Sequence, residues 1–384
     1  MGSYTISQEN FLNELRQVTA AAEKYVETSS NLDAEQSRYE LMLKTMRLLQ
    51  RIRGPTDELF ANFECMAQIG AVRTLLAAGV FHAIPAGGKS ISAAEISAKT
   101  GLDKEILIRL MRALTVYGPF LETAEETYSH TSLSEAYLVP QLNAVFTSTA
   151  DEFLVPMVKN YEFLAQNNWK DHITTRHNPY TYAHGCEGNI MFEFLSGIPS
   201  RFTRFNEAMV AQDSGQVTMG IYPFALELAK DAEDDRVTIV DVGGGRGHIL
   251  QQIKENCSGD ELARTGIEAM THDFFQPQPV KGALVYYLRR ILHDWPESES
   301  KSILQNLAAS MDRQKSRVLI TEFIVPEVGS SMLAAWMDQA MMTFGGTERT
   351  EKNFERLLDI SGLKLVKVWK APGTPVGIIE AILK

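Results

Sequence analysis

From Ser7 to Ile52 apolar residues recur at Phe11, Leu15 and Val18, then at Tyr39, Leu43, Met46 and Leu49, with charged residues between them. That spacing predicts amphipathic helices. They precede any compact core of their own, so packing on a partner chain and packing back on their own domain are both open. Met66, Ile69, Val72 and Leu76 then share one helical face that stops near Gly79. Ser92-Ala93-Ala94-Glu95 reads as a capping box opening a short helix to Gly101. Asp103 caps the next helix, with Ile106, Leu107, Leu110, Met111 and Leu114 apolar before Gly118. An extended stretch from Phe120 to His130 follows, and helix, turn, helix, ribbon is a winged helix pattern.

The second half alternates between strand and helix. Val237 to Val242 is a buried-strand run, followed by a glycine loop and a helix from about His248 to Asn256. Ala283 to Leu288 is a second strand, a helix carrying Ile303, Leu304, Leu307 and Met311 comes next, and Val318 to Val325 is a third strand. This order implies a mostly parallel, doubly wound α/β sheet. Leu363 to Trp369 and Val376 to Leu383 are strands joined only by Lys370 to Pro375. So short a link permits antiparallel pairing but no parallel crossover. Two domains are expected, a helical one over 1–140 and an α/β one over 141–384.

Composition narrows the function. The chain has 384 residues, 45% of them hydrophobic and 22% charged, ordinary for a globular protein. Lys plus Arg number 37 against 48 Asp plus Glu, a formal charge of −11, which disfavours nucleic acid and anionic membrane as partners. The winged helix offers Lys104, Arg109 and Arg112 to DNA, but Asp103 and Glu105 sit among them, so a scaffold is the expected role. Cys65, Cys186 and Cys257 are too few and too far apart for a disulfide framework. No apolar run reaches bilayer length, Met1 to Asn10 lacks the features of a signal peptide, and Ile6 breaks the myristoylation pattern. A reducing, cytoplasmic setting is expected.

In Asp241-Val242-Gly243-Gly244-Gly245-Arg246-Gly247 the glycines allow a tight turn and close approach of a ligand. A dinucleotide GxGxxG would need glycine at 248, where His248 stands, and no Lys-Ser/Thr follows as in a phosphate-cradling loop. Asp241 beside the loop would repel a pyrophosphate, whereas it suits the ammonium and sulfonium of S-adenosylmethionine.

Val237 to Gly247, His272-Asp273-Phe274-Phe275, Tyr287 to Trp295 and Gly346-Thr347-Glu348-Arg349-Thr350 together resemble the plant caffeic-acid-type and fungal O-methyltransferases. The resemblance spans essentially the whole chain and holds four motifs in the family's order. It implies a class I methyltransferase domain, a homodimer built on the N-terminal region, and a small aromatic or polyketide-like acceptor from secondary metabolism. It matches His293 to the family's catalytic base and Glu322 and Glu348 to the carboxylates flanking it. It further matches Asp273 and Phe274 to adenine contacts, where the acid accepts from the exocyclic amine and the ring stacks. Asp241, Gly243, Gly244 and Gly245 would hold the cofactor's amino-acid end. Arg289 falls where relatives carry a basic residue near the cofactor, and a simple ion pair explains it equally.

The chemistry agrees with these matches. Methyl transfer from a sulfonium needs alignment and a base for the acceptor hydroxyl. A phenol titrates near about 10 and imidazole near about 6.5, so a neutral histidine within reach can take the proton as the C–O bond forms. A carboxylate beside the imidazole fixes its tautomer and stabilises the imidazolium. Glu348 could instead sit near the start of a helix capped by Thr350, while Asp294 and Trp295 are expected to shape the loop, with Asp294 a possible helix cap. No metal site is expected, because the other histidines show no ligand spacing. Of these, His130 follows the wing and is placed to reach the pocket. Phe153, Tyr161, Phe192, Met209, Trp336, Met337 and Met341 are pocket candidates for a flat apolar acceptor, although a Met or aromatic at helical spacing is more often plain core.

One departure stands out. Relatives carry a second strand ending in an acid that holds the cofactor's ribose, then another helix. Here Asn256 runs through Gly266 almost directly into Ile267 to Asp273. A strand, a helix and their loops would need on the order of 20 residues more. One strand–helix unit is therefore expected to be missing, and no spacing argument selects Asp260, Glu261 or Glu268 as a substitute acid. An altered gene product and a variant whose cofactor site has drifted both fit the shortening. It keeps two alternatives open: a methyltransferase-like pericyclase using S-adenosylmethionine as a bound cation, or a degenerate non-catalytic homologue. Such pericyclases tend to replace the histidine, which His293 retains, and a binding module has no need of the His293, Glu322 and Glu348 trio.

Overall fold

The computed structural model describes residues 8–28, 34–211, 220–231, 233, 235–257, 266–371 and 374–384. Asp260 and Glu261 lie outside the described residues. Contacts divide the chain into two compact units: the described residues of Met1–Asp151 with Pro199–Gln212, and those of Glu152–Ile198 with Asp213–Lys384. A single boundary near 140 does not express this, because helix Pro199–Ala211 belongs with the first unit.

The first unit begins with α1 (Gln8–Thr28) and α2 (Ala34–Ala77). The two apolar stripes read as separate helices lie in part on one long α2, bent at Gly54 (φ 67°) just before Pro55. Proline removes a helix hydrogen bond and crowds the preceding turn, which accounts for the bend there. Leu48, Ala61, Ala71, Val72 and Leu75 of α2 are buried, while Leu12, Leu15, Met46, Leu49, Ile52, Phe60 and Phe63 are exposed. The amphipathic pattern is therefore real but only half satisfied within one chain.

The winged helix forms as the sequence predicts. Ser92 and Glu95 exchange capping-box hydrogen bonds (Glu95 N–H to Ser92 Oγ 3.3 Å, Ser92 N–H to Glu95 Oε2 3.0 Å), and Ala93–Thr100 ends at Gly101. Asp103 accepts from the Ile106 N–H at 3.0 Å and starts Lys104–Thr115. Leu107, Ile108, Met111 and Leu114 face the core, and Ile106, expected inside, is exposed. The extended stretch divides into β2 (Phe120–Ala124) and β3 (Thr127–His130), with β1 (Ile91–Ser92) pairing on the other side of β3. His130 is structural rather than a pocket residue. It is buried, with Nδ1 2.8 Å from Ser134 Oγ and Nε2 3.0 Å from the Phe81 carbonyl.

The second unit carries the main sheet. β4 (Ile239–Val242), β5 (Val285–Arg289) and β6 (Arg317–Val325) are parallel neighbours. β7 (Arg349–Thr350) adds to the far end of β6, pairing Arg349 with Ile324. β8 (Leu363–Lys370) and β9 (Val376–Leu383) form the expected antiparallel hairpin, with β9 against β6. The order is β4-β5-β6-β9-β8. The reason is visible in β5 and β6, whose buried residues alternate between two helical layers. Tyr286, Leu288, Val318 and Ile320 pack with Phe354, Leu357 and Leu358 on one side, and Val285, Tyr287 and Leu319 with Ile249 and Ile253 on the other. Helix His248–Asn256 follows the glycine loop as predicted. Among the described residues no strand flanks β4 on its outer edge, and residues 266–273 run as coil into the site, in keeping with the expected missing unit. No helix among the described residues is long and apolar enough to cross a membrane.

Candidate active site

The site lies at the carboxyl ends of β4, β5 and β6, where open α/β sheets bind ligands. Asp241 is the third residue of β4, and the loop turns immediately beyond it. A Cβ on Gly244 would meet the Asp241 carboxylate, so glycine there lets the loop lie against that side chain where it stands. Asp241 Oδ2 is enclosed and has no hydrogen-bond partner among the described residues. Burial pushes its pKa up to about 6, against the opposing pull of the Arg289 guanidinium at the end of β5. An unpartnered carboxylate oxygen beside a bare backbone loop fits a ligand that brings its own positive charge.

Phe274 borders the same loop: its ring is 3.7 Å from the position of a Cβ on Gly243, and it packs on Phe275 (5.0 Å) and Trp295 (6.0 Å). Asp273 is exposed and closes its own turn, Oδ1 accepting from the Phe275 N–H at 3.0 Å. The structure thus brings Asp241, Gly243, Gly244, Gly245, Phe274 and Arg289 to one end of the sheet. Glu268 lies exposed on the coil leading in.

His293 sits on the turn Leu292–Asp294 directly after β5. Arg290 enters that turn with φ 54° while its N–H still bonds the Thr321 carbonyl at 3.0 Å. Arg289 pairs with Thr321, so Glu322 lies one residue past the end of β5 and faces the turn. Its Oε1 accepts from the N–H groups of Ile291 (2.9 Å), Leu292 (2.9 Å) and His293 (3.4 Å). Glu322 therefore anchors the backbone of the turn as well as flanking the imidazole, its Oε2 lying 3.7 Å from Nδ1. Glu348 is the direct partner, with Oε1 2.8 Å from Nδ1. It is held in turn by Asp338, whose Oδ1 accepts from the Glu348 N–H at 2.9 Å.

Gly346 makes this approach possible. A Cβ there would be 2.2 Å from the His293 carbonyl oxygen, which instead accepts from the Thr347 N–H at 2.8 Å. Spacing along the chain does not single out Asp338, which lies on the helix Met332–Phe344 ten residues before Glu348. Asp294 does more than shape the loop: its Oδ1 is 3.5 Å from His293 Nε2. It does not cap the following helix, whose first flanking residue is Pro296.

His293, Glu322 and Glu348 are all nearly enclosed. Burial alone depresses the imidazole, but Glu322, Asp294 and the hydrogen bond to Glu348 outweigh it and raise His293 to about 9. Burial pushes Glu322 and Asp294 up in turn. The three side chains also offer ligand atoms within 4.8 Å of one another, a combination metals accept. Here the nitrogen and the Glu348 oxygen that a metal would need are bonded to each other. With Nδ1 donating to Glu348, Nε2 is the nitrogen left to accept a proton.

Of the pocket candidates, Phe153 and Phe192 join an aromatic row leading to the turn. Phe153 meets Phe344 (6.0 Å), Phe344 meets Phe192 (6.3 Å), and Phe192 meets Trp295 (6.2 Å). Met337 and Met341 are buried on the helix Met332–Phe344 that carries Phe344, with Trp336 half-buried beside them. Tyr161 is exposed, and Met209 belongs to the other unit.

An O-methyltransferase domain model matches residues 260–364, and an O-methyltransferase dimerisation domain model matches 64–140. The chain is 36% identical over 399 aligned positions to the O-methyltransferase kntB of Aspergillus niger, with 97% of each chain covered. An alignment longer than this 384-residue chain requires residues in kntB that have no counterpart here. It is 38% identical to the O-methyltransferase afvC of Aspergillus flavus, covering 90% of this chain and 87% of that one. Among solved structures, OxaC in complex with SAH and oxaline superposes with a TM-score of 0.91 at 43% identity, covering 98% of this chain and 100% of the other. LepI in complex with SAM shares the fold, with a TM-score of 0.84 at 23% identity, 98% of this chain and 100% of that one.

The raised imidazole has a measurable consequence. Because the fold holds His293 above its ordinary range, its stabilising contribution is complete below about pH 6.5 and is lost as pH rises through about 9. Nitrogen-resolved NMR of the ligand-free protein should give a His293 midpoint near 9, and Glu348→Gln should move it down. A midpoint at or below the ordinary imidazole value would contradict the network. With the fold, the enclosed His293–Glu348–Glu322 cluster, the glycine loop and the relatives in agreement, the chain belongs to the S-adenosylmethionine-dependent O-methyltransferases.

Proposed function

We propose that this chain methylates a hydroxyl on a flat, apolar small molecule, with His293 as the general base. The observation that carries the reading is the hydrogen bond from His293 Nδ1 to buried Glu348, which leaves Nε2 to accept the proton. When bound, S-adenosylmethionine supplies a methyl group activated by its sulfonium. The chain's own part is to orient the acceptor and remove its proton. A base whose conjugate acid titrates near 9 receives a proton from a phenol, at about 10, with little uphill cost. Nε2 takes that proton as the acceptor oxygen gains its methyl, and Glu348 and Glu322 stabilise the imidazolium that results. Asp241, the glycine loop and Phe274 would hold the cofactor, and the aromatic row from Phe153 to Trp295 suits a planar acceptor. The solved complexes of OxaC, one with SAH and oxaline and one with sinefungin and meleagrin, support a cofactor and a small-molecule acceptor bound together on this fold. Retention of His293 with both carboxylates favours methyl transfer over a pericyclic reaction.

The chain contains a dimerisation domain. We further propose that it forms a homodimer, the exposed apolar residues of α1 and α2 being covered by a second copy. The cytoplasm is the compartment we propose.

Three outcomes are expected. His293→Ala should remove most turnover while leaving S-adenosylmethionine affinity, read by calorimetry, nearly unchanged; loss of affinity alone would move His293 out of the base role. Cofactor binding should weaken as pH falls through about 6, where Asp241 gains a proton, and Asp241→Asn should flatten that dependence. Binding that is unchanged across that range would remove Asp241 from the cofactor site. Sedimentation equilibrium should return the mass of two chains, and a single-chain mass at high concentration would sink the dimer.

A further inference from the structure

We infer that Arg349 is a positioning residue for His293, fixing the backbone of the turn that carries it. The inference rests on His293 acting as the base. Arg349 is 5% exposed, so its guanidinium is committed to the interior. Its Nη1 donates to the Leu292 carbonyl at 2.7 Å, and its Nη2 to the Trp295 carbonyl at 2.8 Å and to Ser300 Oγ at 3.0 Å. Leu292 opens the turn and Trp295 closes it, so one planar group spans the segment on which His293 sits.

The backbone of Arg349 is itself fixed, because β7 pairs with Ile324, two residues beyond Glu322 on β6. Three adjacent residues of one segment therefore hold the same histidine and its turn. Glu348 fixes the ring through Nδ1, Arg349 fixes the main chain around it, and the Thr347 N–H takes the His293 carbonyl. Glu322 supports the turn from the other direction through its N–H groups. Between them the N–H groups of Ile291, Leu292 and His293 and the carbonyls of Leu292, His293 and Trp295 meet partners from outside the turn.

A buried cation is an expensive way to fill a core, since an apolar side chain of similar volume often stabilises as well. What arginine adds is a rigid fork of donors that can meet two carbonyls at once. Lysine keeps the charge but carries it as a single flexible point, so it cannot reproduce the span. Arg349→Lys therefore separates charge from geometry.

The test compares the purified full chain with Arg349→Lys, Ser300→Ala, His293→Ala and the double variant His293→Ala with Arg349→Lys. Displacing the base by about 1 Å costs on the order of 100-fold in rate. Arg349→Lys should thus lower kcat by about 10- to 100-fold while KM for cofactor and acceptor stays within about twofold. The His293 NMR midpoint should fall with it, as the bond to Glu348 loosens. In the His293→Ala background the lysine substitution should cost nothing further, because there is no base left to misplace. Ser300→Ala, a milder change, should lower kcat several-fold in the same sense and serves if the lysine variant does not fold. Unchanged kcat and an unchanged His293 midpoint in the folded variants would overturn the inference. So would a further loss of turnover in the double variant, which would mark a role independent of His293. If His293→Ala itself retains turnover, the base assignment has failed; if only the Arg349 and Ser300 variants are silent, the base stands and the positioning role alone is lost.

Discussion

The Glu322 carboxylate, on β6 one residue past the level where β5 ends, accepts from consecutive backbone N–H groups of the turn after β5. That interaction is what the rest of the site depends on. A parallel pair of strands would otherwise end in a loop with unpaired donors, costly to bury. By taking those donors, the carboxylate lets the turn lie within the protein and puts His293 at a set distance from β6. Because the carboxylate is enclosed, its charge acts through little solvent, so it also favours the imidazolium and raises the His293 pKa.

Around this anchor each further contact removes one freedom. Gly346 allows the segment before β7 to reach the His293 carbonyl, and Glu348 then meets the ring from that segment. Asp338 fixes Glu348, and Arg349 closes the other end of the turn. Such a cluster has to be satisfied as a whole, since a buried acid left without its partners costs more than its bond returns. The glycine-loop end is organised differently. Among the described residues Asp241 Oδ2 has no hydrogen-bond partner, and burial raises its pKa. Glu322 Oε2 and Glu348 Oε2 likewise lack one among the described residues, but each of those carboxylates is held through its Oε1.

Much of the fold was legible because the relevant signals are local. The capping box at Ser92, the cap at Asp103 and the helix from His248 depend on neighbouring residues and formed where the spacing placed them. The antiparallel hairpin followed from a link too short for any other geometry. The shortening after Asn256 could be read by setting the length of that segment against the family the chain resembles, and β4 stands at the edge of the described sheet. The misreadings were non-local. His130 looked free to reach a pocket, whereas its ring bridges to carbonyls about fifty residues earlier in the chain. The bend at Gly54 and Pro55 joined two stretches that had looked separate, since a proline signals a break without saying whether the helix resumes.

By itself the sequence placed most of the helices and strands and singled out His293, Glu322 and Glu348, which the fold brings together. Each of these rests on residue type and spacing within a segment. Only the tertiary structure decided the division of labour among the acids. Glu322 holds backbone, Glu348 holds the ring, Asp294 flanks the open nitrogen, and Asp338 and Arg349 support from behind. These roles depend on distances between β5, β6 and the segment around β7, set by sheet register and by close approach at Gly346. Hydrogen bonding falls off within a few tenths of an ångström, so no count of residues along the chain could assign them.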